Sequence, residues 1–219
     1  MVKYTLLFGG AAAALGLGAR ALGLPVWAGA AAPLLLWGFV LSFFRDPERT
    51  PPADEALLIS PADGTVCDVG ETEAPPFLGE GKCFRIGIFL SVFNVHVNRA
   101  PCAGKVVHLE HKDGAYRNAL DPASVQVNER QDLGILHEIR QAGHEPRQAR
   151  VMVRQIAGAI ARRIICEPKQ GQGLARCERY GMIKFGSRTE VYLPAGRLSP
   201  RVRVGDKVKG GETVIGAWI

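Results

Sequence analysis

From Tyr4 to Phe44 the chain carries one charged residue, Arg20, and from Ala21 to Phe44 it carries none. An apolar run of that length can satisfy its own backbone polar groups in lipid as a helix, and it is long enough to cross a bilayer. The part before Arg20 is shorter and rich in Gly and Ala, so it is expected to pair with the second part as a hairpin. Lys3, Arg45 and Arg49 would then lie together on the cytoplasmic side. Ala28-Gly29-Ala30 has the small-residue form of a processing site, but the apolar region runs well past it, which argues against a cleaved secretory signal. A buried core helix fits poorly with Pro25 and Pro33. The charged, proline-rich segment Arg45-Asp46-Pro47-Glu48-Arg49-Thr50-Pro51-Pro52 marks a boundary, giving a membrane segment at 1–45 and one soluble domain at 46–219.

The remaining length suits a single domain with a sizeable core. A net charge of +6 and a pI near 9.2 point to an anionic partner. Aromatic residues are few and not interleaved with the basic ones, which favours the surface of an acidic membrane over nucleic acid. The five cysteines, an odd number without a Cys-x-x-Cys pair, indicate a reduced protein facing the cytoplasm, with no disulfide frame or zinc site. His108 and His111 lack the spacing partners of a metal site and are read, with His137 and His144, as surface residues; no metal is expected.

Alternating apolar residues predict strands at 57–59, after Gly64, at 82–90, 92–98, 103–111 and 150–155. The loop 74–81 carries apolar residues that touch lipid or tuck into the domain. Residues 111–128 read as a loop or lid with Tyr116, Asn118 and Leu120 near a substrate, and 156–165 is ambiguous between strand and short helix. Two segments, Gly171 to Glu178 and Gly205 to Glu212, echo one another and resemble the turn-and-strand element of biotinyl and lipoyl carrier domains, although neither turn carries a carrier lysine. The expected fold class is mainly β (α+β): a compact sandwich or barrel with biotinyl-like hairpin elements, preceded by the hydrophobic helical membrane segment.

Chemistry centres on Gly186-Ser187, within the run 181–194. Locally this pair reads either as an ordinary turn or as a site of self-cleavage. A serine hydroxyl stands next to the preceding carbonyl, and a glycine leaves that approach unblocked. The ester so formed can break by β-elimination to a new chain end at Gly186 and a dehydroalanine at 187, which loses ammonia to water and becomes a pyruvoyl ketone. Asp63, in Ser60-Pro61-Ala62-Asp63-Gly64, reads locally as a turn former. The alternation of 92–98 puts Phe93, Val95 and Val97 on one face and Asn94, His96 and Asn98 on the other, so His96 is either functional or on a solvated face. Arg162 and Arg163 could neutralise a phosphate or form a solvated pair.

Four segments carry a resemblance: Gly-Met-Ile-Lys-Phe-Gly-Ser-Arg (181–188), Ser-Pro-Ala-Asp-Gly (60–64), Asn-Val-His-Val-Asn-Arg-Ala-Pro (94–101) and Gln-Ile-Ala-Gly-Ala-Ile-Ala-Arg-Arg-Ile (155–164). Together, over nearly the whole chain, they resemble the phosphatidylserine decarboxylase proenzyme family in its short prokaryotic form. The resemblance implies cleavage between Gly186 and Ser187 into chains 1–186 and 187–219, which stay together as a heterodimer; higher oligomers are compatible with it. It implies a covalent pyruvoyl cofactor from Ser187 that takes the serine headgroup as a Schiff base, giving phosphatidylethanolamine from phosphatidylserine at the cytoplasmic face of the cell membrane. Ser187 would be nucleophile, His96 acid and base, Asp63 the orienting carboxylate, and Arg162, Arg163 and Tyr116 substrate contacts. Longer bacterial members have a second histidine where this chain has Arg99. Two other readings stay open: a membrane-anchored serine hydrolase using the same three residues, although the second glycine of Gly-x-Ser-x-Gly is missing, and a non-enzymatic membrane adaptor with a biotinyl-like β-domain.

Overall fold

The computed structural model describes residues 2–121, 123–139, 145–159, 163–184 and 186–219, with side chains from Leu6 onward. The chain divides into two compact units, Met1–Arg45 and Asp46–Ile219.

The first unit is a helical hairpin of α1 (Val2–Ala21) and α2 (Val26–Phe43). Small residues set its packing. A Cβ on Gly29 would run into the Leu15 carbonyl, and one on Gly16 would come within 2.9 Å of the Val26 side chain, so the backbones approach where side chains are absent. Pro25 caps α2 and Pro33 lies inside it. With a mean hydropathy of 1.7 over 18 residues, α2 is long and apolar enough to cross a membrane.

The second unit is mainly β. Its strands are β1 (Leu57–Ile59), β2 (Gly64–Glu73), β3 (Lys82–Leu90), β4 (Val97–Arg99), β5 (Gly104–Lys112), β6 (Arg130–Ile139), β7 (Arg147–Ile156), β8 (Ile164–Cys166), β9 (Gly173–Leu174), β10 (Arg179–Ile183), β11 (Ser187–Pro194), β12 (Leu198–Pro200), β13 (Lys207–Val208) and β14 (Val214–Trp218), with a short helix α3 at Ser124–Val127. Eight strands form one curled antiparallel sheet in the order β13-β2-β3-β11-β7-β6-β5-β9. Two three-stranded sheets, β1-β14-β12 and β4-β10-β8, accompany it. Alternation along each long strand sends Val66, Ile86, Ile88, Leu133, Val153 and Val191 into one core. Each such side chain, fully buried, contributes about 1.5–3 kcal/mol.

The echo between 171–178 and 205–212 is a structural repeat at the two edges of the large sheet. Gly171 N–H donates to Val106 O (2.7 Å) and Val106 N–H to Gln172 O (2.8 Å); Gly205 N–H donates to Val66 O (2.8 Å) and Val66 N–H to Asp206 O (2.9 Å). Both glycines have positive φ, 89° and 99°, the left-handed conformation that glycine adopts without strain. The likeness extends to Ser60-Pro61-Ala62-Asp63-Gly64 and Ala100-Pro101-Cys102-Ala103-Gly104, which lead into β2 and β5. Gly64 and Gly104 pack alike: a Cβ on either would meet a facing isoleucine Cγ2, of Ile88 at 2.8 Å or Ile135 at 2.6 Å.

Several sequence expectations change. The strand expected at 92–98 is confined to Val97–Arg99, because Asn94 Oδ1 accepts hydrogen bonds from Ser91 N–H (2.9 Å) and Ser91 Oγ (2.7 Å), folding 91–94 into a turn. The strand expected at 57–59 is present as β1, and its partner is β14 rather than the strand that follows it. The loop 74–81 tucks in, with Phe77 and Leu78 packed on Cys83, Met152 and Tyr192. Arg49 is not a free flanking charge: it pairs with Asp63 (2.9 Å) and Glu212 (3.3 Å) inside the second unit. His137 is not a surface residue. It is buried, its Nδ1 donates to the Ala103 carbonyl (2.7 Å), and its ring stacks on Trp218 at 5.2 Å.

Burial holds the His137 pKa below its ordinary value of 6.5. The unfolded chain therefore binds this proton at higher pH than the folded one, so the stability it contributes is present above pH 6.5 and is lost as pH falls toward the folded value. Thermal melts between pH 5 and pH 8, about the titration range of histidine, should show Tm dropping on the acid side, and His137→Phe should flatten that slope.

Candidate active site

Asp63, His96 and Ser187 gather at one end of the eight-stranded sheet. Asp63 immediately precedes β2, Ser187 opens β11, and the two strands flank β3, whose last residue, Leu90, is the register partner of Ser187. Two strand spacings, about 10 Å, separate β2 from β11. His96 follows the turn that leaves β3, and its carbonyl accepts from Ile183 N–H (3.3 Å). Asn98, two residues on, donates from Nδ2 to Thr189 Oγ1 (3.2 Å), while Gln155 Nε2 donates to Asn98 Oδ1 (2.8 Å). This chain of amides ties β4 to the β11 and β7 strands beside the serine.

Ser187 is 0% exposed, and among the described residues its Oγ has no hydrogen-bond partner. A buried hydroxyl normally finds one, so this unengaged serine is a group that packing alone does not account for. Gly186 has φ 60°, again the left-handed region. Its carbonyl oxygen occupies the space where a Cβ on Gly158 would stand; that Cβ would also lie 3.0 Å from the carbonyl carbon. Gly158 follows β7 in the small-residue stretch Ala157-Gly158-Ala159, which the sequence reading left ambiguous. A Gly158→Ala variant should displace the Gly186 carbonyl, and a misplacement near 1 Å costs on the order of a hundredfold in rate. Electrophoresis of freshly synthesised chain would follow any cleavage at 186/187, with the variant expected to retain intact chain.

His96 is also 0% exposed, so the solvated-face alternative does not hold. Its Nδ1 lies 2.9 Å from the Asn94 carbonyl, which only accepts, so the proton sits on Nδ1 and Nε2 carries the basic lone pair. The orienting contact on this ring thus comes from a backbone carbonyl. Asp63 accepts from both ends of its carboxylate: Arg49 Nη2 at 2.9 and 3.1 Å, and Gly210 N–H at 2.8 Å. Arg99 is buried. It donates to Asp46 (2.8 Å), to the Pro47 carbonyl (2.9 Å) and to the Cys177 carbonyl (3.3 Å), fastening the start of the unit to β4.

The opposite face of β11 holds a buried ionic ladder. Arg188 donates from Nε to Glu190 (2.8 Å) and pairs through Nη2 with Asp68 (3.1 Å); Arg85 also pairs with Asp68. Glu190 accepts from Tyr192, and Arg154 forms a two-point pair with Asp132, 2.7 Å at each contact, while stacking over the Tyr192 ring. Gly87 leaves room for the Arg188 guanidinium, which would sit 2.7 Å from a Cβ there. Burial works against the Arg188 charge, but Glu190, Cys67 and Asp68 outweigh it and hold its pKa above the ordinary value.

Of the expected substrate contacts, Arg163 and Tyr116 are exposed, and the Arg163 carbonyl accepts from Lys184 N–H (3.3 Å), two residues before Gly186. Arg162 and His144 lie outside the described residues. Asn128 clamps the loop 115–117: Oδ1 accepts from Arg117 N–H (2.9 Å), and Nδ2 donates to the carbonyls of Arg117 (2.9 Å) and Ala157 (2.8 Å). It sits in the acid- and amide-rich Asn128-Glu129-Arg130, but nothing in that triplet announces a clamp.

The family model for phosphatidylserine decarboxylase matches residues 36–216. Curated relatives named phosphatidylserine decarboxylase proenzyme include one from Symbiobacterium thermophilum, 48% identical over 81% of this chain and 78% of its own. One from Trichlorobacter lovleyi is 49% identical over 85% of this chain and 80% of its own, and one from Gluconacetobacter diazotrophicus 46% identical over 86% and 80%. The protein is therefore an enzyme of the lyase class, a decarboxylase made as a zymogen. The chain belongs to the phosphatidylserine decarboxylase family.

Proposed function

We propose that the unit Asp46–Ile219 converts phosphatidylserine to phosphatidylethanolamine with a pyruvoyl group made from Ser187, and that α2 anchors it in the cell membrane with the catalytic unit at the cytoplasmic face. The observation that carries this reading is the buried, unengaged Ser187 Oγ following a left-handed Gly186 whose carbonyl fills the space left by Gly158.

In maturation, Ser187 Oγ gives its proton to a base and attacks the Gly186 carbonyl carbon; the Gly186–Ser187 amide bond breaks, leaving an ester and a free amine at 187. His96, with its lone pair on Nε2, is the proposed base. Asp63 is the carboxylate proposed to orient the site, itself held by Arg49 and the Gly210 N–H. Loss of the α-proton of residue 187 then expels the Gly186 carboxylate, and hydrolysis of the dehydroalanine releases ammonia. The ketone so formed supplies an electron sink for the carbon that loses carbon dioxide. His96 would return a proton to that carbon, and Arg163, with Arg162, would meet the lipid phosphate. Chain 187–219 would stay bound, since β11 lies between β3 and β7 in the middle of the large sheet, β13 pairs with β2, and β14 with β1.

Ser187 opens a strand rather than sitting on a strand-to-helix elbow, which weighs against the hydrolase reading. The test is release of carbon dioxide from phosphatidylserine labelled in its carboxyl group, abolished by prior treatment with a ketone reagent. Carbon dioxide release that resists such treatment would refute the pyruvoyl assignment.

A further inference from the structure

Among its described residues the catalytic unit leaves six large apolar side chains exposed: Phe93, Tyr116, Leu120, Val127, Val204 and Ile219. The first four fall in two connections, β3 to β4 and β5 to β6, the last of them at the end of α3, and both connections border the Gly186–Ser187 junction. The loop carrying Phe93 continues directly from Leu90, the register partner of Ser187. The loop carrying Tyr116, Leu120 and Val127 is fastened to Ala157 by Asn128. Its Ala119 lies 3.4 Å from the point where a Cβ on Gly158 would also strike the Gly186 carbonyl. Phe93 is 75% exposed and Leu120 52%, and the segments hold them out at the tips of hydrogen-bonded turns: Asn94 closes one, and Asn118 Oδ1, accepting from Leu120 N–H (3.1 Å), closes the other. Two exposed cations belong to the same end of the unit, Arg117 in the second connection and Arg163, whose carbonyl accepts from Lys184 N–H two residues before Gly186. Apolar tips set among cations match the apolar boundary and anionic headgroups of a phospholipid surface.

We propose that these two loops form a membrane-docking rim. Phe93 and Leu120 enter the boundary between headgroups and acyl chains of an anionic bilayer, and Arg117 and Arg163 meet its phosphates. The rim is distinct from α2: a helix anchor keeps a domain near the bilayer but leaves its orientation free, whereas the rim turns the Ser187 end toward the lipid. A diacyl substrate then reaches residue 187 without leaving the membrane. The inference rests on the lipid-decarboxylase reading for its purpose, and on the two loops alone for its geometry.

The full-length protein, reconstituted into vesicles of phosphatidylcholine and phosphatidylserine, would carry a benzophenone amino acid at position 93, 120 or, as a control, 204. Irradiation should give phospholipid adducts at 93 and 120 and not at 204. Adducts to a second copy of the chain, or to its own N-terminal helices, in place of lipid would overturn the rim. In parallel, a Phe93→Ser variant should lose about threefold in rate on phosphatidylserine in vesicles, the scale of removing one interfacial apolar anchor. Its rate on a short-chain phosphatidylserine dissolved as monomers should be unchanged, and an equal loss on both substrates would refute the docking role. Failure of the unaltered protein to release carbon dioxide from either substrate would instead defeat the decarboxylase reading, with the adducts still deciding the rim.

Discussion

Replacing Ser187 by alanine is expected to leave a single 219-residue chain whose decarboxylation of phosphatidylserine falls by roughly 10⁴-fold or more, the scale of deleting a covalent catalytic group. The fold should persist, because Oγ makes no hydrogen bond among the described residues and its removal breaks none. A small residue in the same strand keeps the pairing of β11 with β3, which runs through the backbone. Circular dichroism and thermal melts of the variant should therefore match those of the uncleaved precursor. An active variant would move the chemistry to another residue, whereas an unfolded one would mean that the hydroxyl is structural.

The second large effect concerns stability. Arg188→Met should cost about 3–5 kcal/mol, because it removes the guanidinium facing Glu190, which is 0% exposed, and leaves a buried carboxylate without that partner. For a domain of this size each kcal/mol moves Tm by about 2–4 °C, so the melt should fall by about 6–20 °C. Exchanging Arg188 and Glu190 together for methionine and leucine should recover much of the loss, since an apolar pair needs no counter-charge. Melts of the single and double variants at pH 7.5 would check this; a single variant as stable as the parent would show that the ladder adds nothing to the fold.

Much of this architecture was legible in the residues because the strands obey a period of two. Lys82–Leu90 was readable to its ends, as one face of it enters the core. The echo between 171–178 and 205–212 was legible through its glycines, since positive φ at Gly171 and Gly205 demands them. His96 was harder. Alternation separates its face from that of Val95 and Val97, but both faces are buried: Ile183 N–H pairs with the His96 carbonyl, and Thr189 and Gln155 hold Asn98, partners distant in sequence that leave no local trace. The burial of His137 is hidden for the same reason: its ring stacks on Trp218, far along the chain. The ladder on β11 was invisible because Arg188, Glu190 and Tyr192 read as a polar outer face until Asp68, Arg85, Asp132 and Arg154 arrive from other strands. Asp63 has the look of a turn former and is also a half-buried ion-pair partner of Arg49, in the segment that follows the apolar helices.

The most direct test of the central claim is the intact mass of the purified wild-type protein, taken with and without a ketone-reactive hydrazine. Two chains dividing between Gly186 and Ser187 are predicted, the smaller one short of an N-terminal serine by the mass of ammonia and gaining one hydrazone. A single unreactive chain of 219 residues in an active preparation would contradict the account.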